Sequence, residues 1–346
     1  MVKVMNILEH MKTRLGMYVP LGRDGCPDES VWTVLLRELI ESGIRAFRAG
    51  RASFLEIRND VPYGAVMVRY DGVDIPAERI FSLCNGDLRQ DEELTTARGW
   101  YGGLVLPLLN VLSERLDVEI IQNGHWYKLT CGRGRTGIVD ECLPLFPQRT
   151  RETCVSFKPS DDYLRESDGD VLGDGLLKRM GKAIGVSNPA LMVIVNGEEL
   201  IYEQGTMGAL RAVVERSGQD PLIAPRQACY GTAKISLAVV RRKVQGRKLS
   251  VRMSVDGRNV HEMGMHEVVM AGLGNWIASC PVLRQEYYEC DCFIEGRLAG
   301  GNVWRDGLKY AWSESNVTFE LDSVLGKVWR KDIERCWVEI FKEFVG

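Results

Sequence analysis

Apolar residues return at helical spacing along 31–49, where Leu35, Leu36, Leu39, Ile40, Ile44 and Phe47 form one stripe and Gly50 follows as a stop. The spacing predicts a strong amphipathic helix over Val31–Ala49. A shorter helix is predicted over Asn6–Thr13, and the stretch between them, up to Glu29, is marked as turn by its Gly, Pro and Asp. Period-two alternation then predicts strands at Phe54–Arg58 and Gly64–Tyr70. A short helix is expected at Ile75–Leu83, a flexible polar loop at Asn85–Gly103 and a buried apolar helix at Leu104–Arg115. Strands dominate from Val118 to Lys158, the last being Thr153–Lys158.

The stretch Asp161–Gly175 is acidic and glycine-rich, the expected boundary between a first domain, 1–168, and a second, 169–346. The second half opens with a helix predicted at Leu176–Ile184, a strand at Leu191–Val195 and an Asn196-Gly197 turn that suggests a hairpin. Ala233–Val240 and Leu249–Val255 alternate as a pair of strands. A helix at His266–Ser279, a strand at Tyr287–Glu295 and a closing helix at Val324–Phe344 complete the pattern. No repeat or low-complexity tract interrupts it. Both halves mix helix and strand, which places the chain in the α+β class.

Composition narrows the functions. A chain of 346 residues with 45% hydrophobic and 26% charged positions has ample material for two buried cores. A net charge of -3 argues against coating nucleic acid through bulk charge, though a local basic patch is compatible with it. The ten cysteines are scattered through a long chain whose first residues carry no apolar signal segment, so reduced thiols in a cytoplasmic protein are expected. Cys290 and Cys292 fall on one face of a predicted strand, and core packing is a better reading than a metal site, since no second ligand pair has the required spacing. No run approaches the roughly 20 apolar residues of a membrane helix. Nucleophile-elbow, phosphate-loop and zinc-protease motifs are missing, and four histidines give little material for a histidine-based site.

Four segments carry a resemblance. They are Leu8-Glu9-His10-Met11-Lys12-Thr13-Arg14-Leu15-Gly16-Met17-Tyr18-Val19, the helix stretch Glu38–Gly50, the strand Thr153–Pro159, and Asn259-Val260-His261-Glu262-Met263-Gly264 before a predicted helix. In this order they resemble the N-terminal region of the B subunits of type II DNA topoisomerases, those of gyrase and topoisomerase IV, in the GHKL superfamily. The match spans nearly the whole chain. It implies a GHKL (Bergerat-type) α/β sandwich followed by a transducer domain of the ribosomal-protein-S5-like fold.

The resemblance also implies a chemistry to look for. In that family a helix glutamate polarises the attacking water, an asparagine one turn later holds Mg²⁺, and an aspartate in a glycine motif bonds adenine. A glycine-rich lid then wraps the phosphates and a transducer lysine reaches the γ-phosphate, because phosphoryl transfer is mostly positioning and charge stabilisation. Here Glu38 falls at the water-activating position, and equally suits a helix glutamate on a polar face. Ser42 replaces the asparagine; a serine hydroxyl binds Mg²⁺ in other folds but is shorter and offers no amide carbonyl, and Glu41 beside it is a candidate to compensate. Tyr70-Asp71-Gly72 stands at the adenine motif, and the aspartate's place falls to Tyr70 without a gap or to Asp71 with one deletion. Thr153, in the strand that resembles the family's last, is a further nucleotide candidate. In the lid, Gly103 is retained and Gly99 and Gly102 are further nucleotide candidates, but Trp100 and Val105 stand where glycines let backbone N–H groups approach phosphate, and a plain turn before a buried helix is the favoured reading of Gly102-Gly103. Arg305 is a candidate for the lysine's place and otherwise reads as a loop arginine.

Arg241, Arg242, Lys243, Arg247 and Lys248 form a basic hairpin tip between two predicted strands, suited either to DNA phosphates or to protecting a sheet edge. The family's partner-crossing N-terminal arm is expected to be absent or short, and its acidic metal domain and catalytic tyrosine have no place here. The expected function is a gyrase-B-like ATPase/transducer module with a degenerate nucleotide site, binding or regulating a topoisomerase subunit or DNA, as a homodimer or alone, with ATP and Mg²⁺ weak or unused. The alternative is a divergent working ATP-dependent clamp serving a separate cleavage subunit.

Overall fold

The structure is a computed structural model describing residues 7–61, 64–73, 76–85, 104–144, 151–164, 172–200, 204–218, 220–221, 223–230, 233–241, 249–255, 258–259, 288–296, 312–313, 316–317 and 335. The chain divides into two compact units, Met1–Lys182 with Ala190–Ile201, and Ala183–Pro189 with Tyr202–Gly346.

The first unit is built on an eight-stranded sheet in the order β5-β4-β3-β6-β2-β1-β7-β8. Its strands are β1 (Phe54–Val61), β2 (Ala65–Tyr70), β3 (Ser113–Gln122), β4 (His125–Gly132), β5 (Arg135–Pro144), β6 (Arg151–Pro159), β7 (Met192–Val195) and β8 (Glu198–Leu200). All neighbours run antiparallel except β1 and β7, which pair in parallel from Phe54↔Met192 to Ile57↔Val195. The predicted Asn196-Gly197 turn closes the β7–β8 hairpin, with both residues at positive φ, 49° and 79°.

Among the described residues, four α-helices belong wholly to this unit: α1 (Ile7–Thr13), α2 (Glu29–Arg48), α3 (Ala77–Cys84) and α4 (Val105–Leu112). One face of the sheet, with Leu55, Ile57, Val68, Val118, Ile120, Val155 and Phe157, is buried together with the stripe Trp32, Leu35, Leu36 and Ile40 of α2. Trp32 stacks near Phe157, with ring centroids 6.3 Å apart. Each such aliphatic side chain stabilises the fold by roughly 1.5–3 kcal/mol. The opposite face is polar. There Glu56 pairs with Arg69 at 2.7 Å, and Lys128 with Glu119 at 2.8 Å.

The helix predicted to reach Arg115 ends at Leu112, because alternating burial takes over at Ser113 and draws that stretch into β3. Within α4, the buried Asn110 donates its amide to the carbonyls of Cys84 at 2.7 Å and Arg135 at 3.0 Å. One side chain thereby ties the end of α3 to the start of β5.

The helix α5 (Asp174–Ser187) lies partly in each unit. The second unit holds α6 (Gly205–Ser217) and a five-stranded sheet in the order β12-β11-β13-β10-β9. Its strands are β9 (Ile223–Tyr230), β10 (Ala233–Arg241), β11 (Leu249–Val255), β12 (Arg258–Asn259) and β13 (Tyr288–Gly296). A two-stranded ribbon, β14 (Trp312–Ser313) with β15 (Asn316–Val317), completes the described elements.

Here the sequence expectation needs a correction. The strands predicted as a pair, now β10 and β11, are not neighbours, because β13 lies between them, antiparallel to β10 and parallel to β11. β10 and β11 therefore form no hairpin with each other. Central β13 places Cys290 opposite Val239 and Val251, and Cys292 opposite Leu237 and Met253, in register. Pro225 sits in β9, at the sheet edge where a missing N–H is tolerated.

Candidate functional site

Helix α2 presents the first candidates. Asp28 caps it by accepting the Ser30 N–H at 3.0 Å. The apolar stripe turns toward the sheet, and Glu38, Ser42 and Arg45, spaced i, i+4 and i+7, share one flank of the helix. Glu38 is buried, while Ser42 and Arg45 are half-buried. The Arg45 guanidinium donates to the Ser42 hydroxyl at 2.6 Å.

Gly43 follows Ser42 and lets the helix close on the sheet. A Cβ there would lie 2.8 Å from Leu55 Cδ1 and 3.1 Å from Tyr70 Cδ1. The Tyr70 ring, 4% exposed at the end of β2, thus packs against α2 one residue beyond Ser42. This is the residue that stands at the adenine position in the ungapped reading, and its ring occupies the angle between helix and strand.

Asp71 is turned to the start of β1. Its carboxylate accepts the N–H of Ser53 at 2.7 Å and of Phe54 at 2.9 Å, and the Ser53 hydroxyl on its other oxygen. Burial pushes the carboxyl up, and the hydrogen bonds from Phe54 and Ser53 outweigh it, so the group sits below the ordinary carboxylate value. Gly72 follows in a close approach, since a Cβ there would lie 2.8 Å from the Arg51 carbonyl. Its own carbonyl accepts the hydroxyl of Thr153, 2% exposed on β6, at 2.7 Å.

The structure therefore brings Ser42, Tyr70, Asp71, Gly72 and Thr153 onto adjoining elements, and directly joins Gly72 to Thr153. Gly99, Gly102, Gly103, Arg305, Arg242, Lys243, Arg247 and Lys248 lie outside the described residues, as do the helices predicted at 266–279 and, Arg335 aside, 324–344. Arg241 ends β10 opposite Tyr288. Two participants escaped the sequence reading. Ser53 gave no signal, lying 18 residues from Asp71, whereas Arg45 was readable as an i,i+3 partner of Ser42.

At Ser42, one of the two oxygen lone pairs is taken by a guanidinium, whose positive charge stands beside it and opposes a hard cation at that oxygen. Among the described residues, no group of three or more His, Cys, Asp or Glu is placed to hold a metal ion, and no helix is long and apolar enough to cross a membrane.

No protein-family model matches the chain. Over 241 residues, 64% of this chain, it is 25% identical to the B subunit of the type 2 topoisomerase of Aquifex aeolicus. The chain spans only 28% of that relative's length. Among solved structures it is similar to the B subunit of DNA gyrase from Myxococcus xanthus, with a TM-score of 0.67, 17% identity, and coverage of 97% of this chain and 96% of that one. It is also similar to the ATPase and transducer domains of DNA topoisomerase II from Balamuthia mandrillaris, with a TM-score of 0.60, 15% identity, and coverage of 99% and 96%. The structural likenesses, at such identities, establish the fold, and the sequence match carries the relationship. The chain is similar in sequence to the B subunits of type II topoisomerases and has the fold of the gyrase B and topoisomerase II ATPase and transducer domains.

Proposed function

We propose that this chain is a topoisomerase-B-like module whose nucleotide site no longer turns over ATP, and that it acts by binding, toward a topoisomerase subunit or DNA. The observation that carries this reading is the internal use of the site's polar groups. Asp71 is committed to Ser53 and Phe54, Ser42 to Arg45, and Thr153 to the Gly72 carbonyl. A group already satisfied within the fold must break its bonds before it can serve a ligand, at about 0.5–1.5 kcal/mol for each neutral bond and more for a charged one. Tyr70 further fills the angle where the ungapped reading puts the adenine contact. Phosphoryl transfer needs its metal and donors in place together, and losing one such group costs roughly 10²–10³ in rate.

The test is to add the purified chain to a type II topoisomerase acting on supercoiled plasmid, as wild type and as Glu38→Gln. A binding module changes the reaction equally in both forms. An effect present in wild type and lost in Glu38→Gln would assign the chain to the alternative, an ATP-driven clamp. No effect of either form on the enzyme, joined to no retention on DNA, would remove the topological role.

A further inference from the structure

We infer that Cys84 and Cys131 are an oxidation site, two thiols that the fold sets side by side and that a peroxide converts into a disulfide between α3 and β4.

Cys84 is the last residue of α3 and is fully buried, while Cys131 lies half-buried near the end of β4. Their side chains are hydrogen-bonded neighbours. Helix and strand meet here through further ties. Tyr127, Leu129 and Cys131 alternate onto one face of β4. The Phe81 ring, one helical turn before Cys84, stands 6.3 Å from the Tyr127 ring. The buried Asn110 amide holds the Cys84 carbonyl at 2.7 Å, and the Asn85 side chain accepts the Gly137 N–H at 2.6 Å. Strand β5 closes on Cys131 where it has no side chain, since a Cβ at Gly137 would lie 3.0 Å from the Cys131 Cβ. The backbone on both sides of the pair is therefore fixed, and the two sulfurs have little freedom to part.

The two thiols take different roles. Burial pushes the Cys84 thiol well up, and its hydrogen bond to Cys131 adds to this, so Cys84 keeps its proton and directs it at the neighbouring sulfur. Cys131, the half-buried partner, is the one that meets the oxidant. As thiolate it attacks the O–O bond of hydrogen peroxide or an alkyl peroxide. One oxygen stays on sulfur as a sulfenic acid, and the other leaves with the former thiol proton as water or an alcohol. The Cys84 sulfur then attacks the Cys131 sulfur. The S–S bond forms, the S–O bond breaks, and that oxygen leaves as water with the Cys84 proton. Two thiols have lost two electrons and one peroxide has gained them. The new bond staples α3 to β4, and a thiol reductant reverses it.

Peptide mapping of the full chain without reduction tests this. The reduced protein is treated with hydrogen peroxide, denatured and blocked with iodoacetamide. A linked peptide pair carrying Cys84 and Cys131 is expected, with a melting temperature raised by roughly 5–10 °C, and dithiothreitol should undo both. Cys84→Ala should stop the reaction at Cys131, where dimedone traps the sulfenic acid, and Cys131→Ser should leave Cys84 a free thiol. Sulfenic acid trapped at Cys131 in wild type without the linked pair would show that the sulfurs cannot bond. Both cysteines recovered as free thiols, or Cys131 linked to any cysteine other than Cys84, would equally overturn the inference. Each of these results is read on wild type, so it holds even where a variant fails to fold.

Discussion

The carboxylate of Asp71 holds Ser53 by its backbone N–H at 2.7 Å and by its hydroxyl, so the turn after β2 fixes the start of β1. This relationship sets the character of the whole site. An aspartate that resembles a ligand-binding residue is spent as a strand cap, and its neighbours follow the same pattern.

Acid should reveal that cap. The Asp71 carboxyl lies lower in the fold than in the unfolded chain. Its stabilisation is therefore present above the ordinary carboxyl value of about 3.9 and is lost as pH falls through the lower folded value. Asp71→Asn removes the charge and should flatten the acid limb of melting temperature against pH below about 4. It should also cost about 1 kcal/mol near neutrality, as loss of a charged side-chain cap does. An acid limb identical to wild type would mean that Asp71 is not bound to Ser53 and Phe54.

Thr153→Val separates a structural from a ligand role at nearly constant shape. If the hydroxyl serves the Gly72 carbonyl, its removal leaves a buried acceptor unsatisfied and destabilises the chain by about 1–3 kcal/mol in urea unfolding. A stability change under a few tenths of a kcal/mol would speak for a hydroxyl kept for a ligand.

Gly43 and Tyr70 should behave as a coupled pair. A Cβ at position 43 enters the Tyr70 ring and Leu55, so Gly43→Ala is expected to destabilise by about 1–3 kcal/mol through overpacking. Combined with Tyr70→Leu, which frees space beside the helix, it should cost less than the sum of the two single changes, by about 0.5 kcal/mol or more. Simple additivity would place the ring elsewhere.

Thiol chemistry offers an independent check of the polar sheet face. Burial pushes the Cys154 thiol up to about 12, with Glu119 and Glu152 adding to the effect. At pH 8 only about 10⁻⁴ of it is thiolate, against roughly a quarter for an ordinary cysteine. Iodoacetamide should label the exposed Cys229 well before Cys154 in peptide mapping. Equal rates would contradict the burial of β6.

What the sequence made legible was local. The stripe Leu35, Leu36, Leu39, Ile40 and Ile44 predicts α2 because helical neighbours are only three and four residues apart, and alternation predicts β1, β2 and β6 for the same reason. Pairings between distant segments left no comparable trace. The parallel register of β1 with β7 joins Phe54 to Met192, and the insertion of β13 between β10 and β11 joins Val251 to Cys290. Helix α6 was missed because Gly205 and Gly208 break its pattern, although Leu210 buries completely. In the site, the identities of Ser42 and Asp71 were readable, and so was Arg45 as a helical neighbour of Ser42, but the partners of Asp71 were not, since its bonds span 17 and 18 residues.

Release of inorganic phosphate from ATP with Mg²⁺, followed at steady state for wild type and Glu38→Gln side by side, tests the central claim most directly. The account predicts that both rates equal the uncatalysed background. A wild-type rate clearly above background, and removed by the single change at Glu38, would show that the rebuilt site still works as an ATPase.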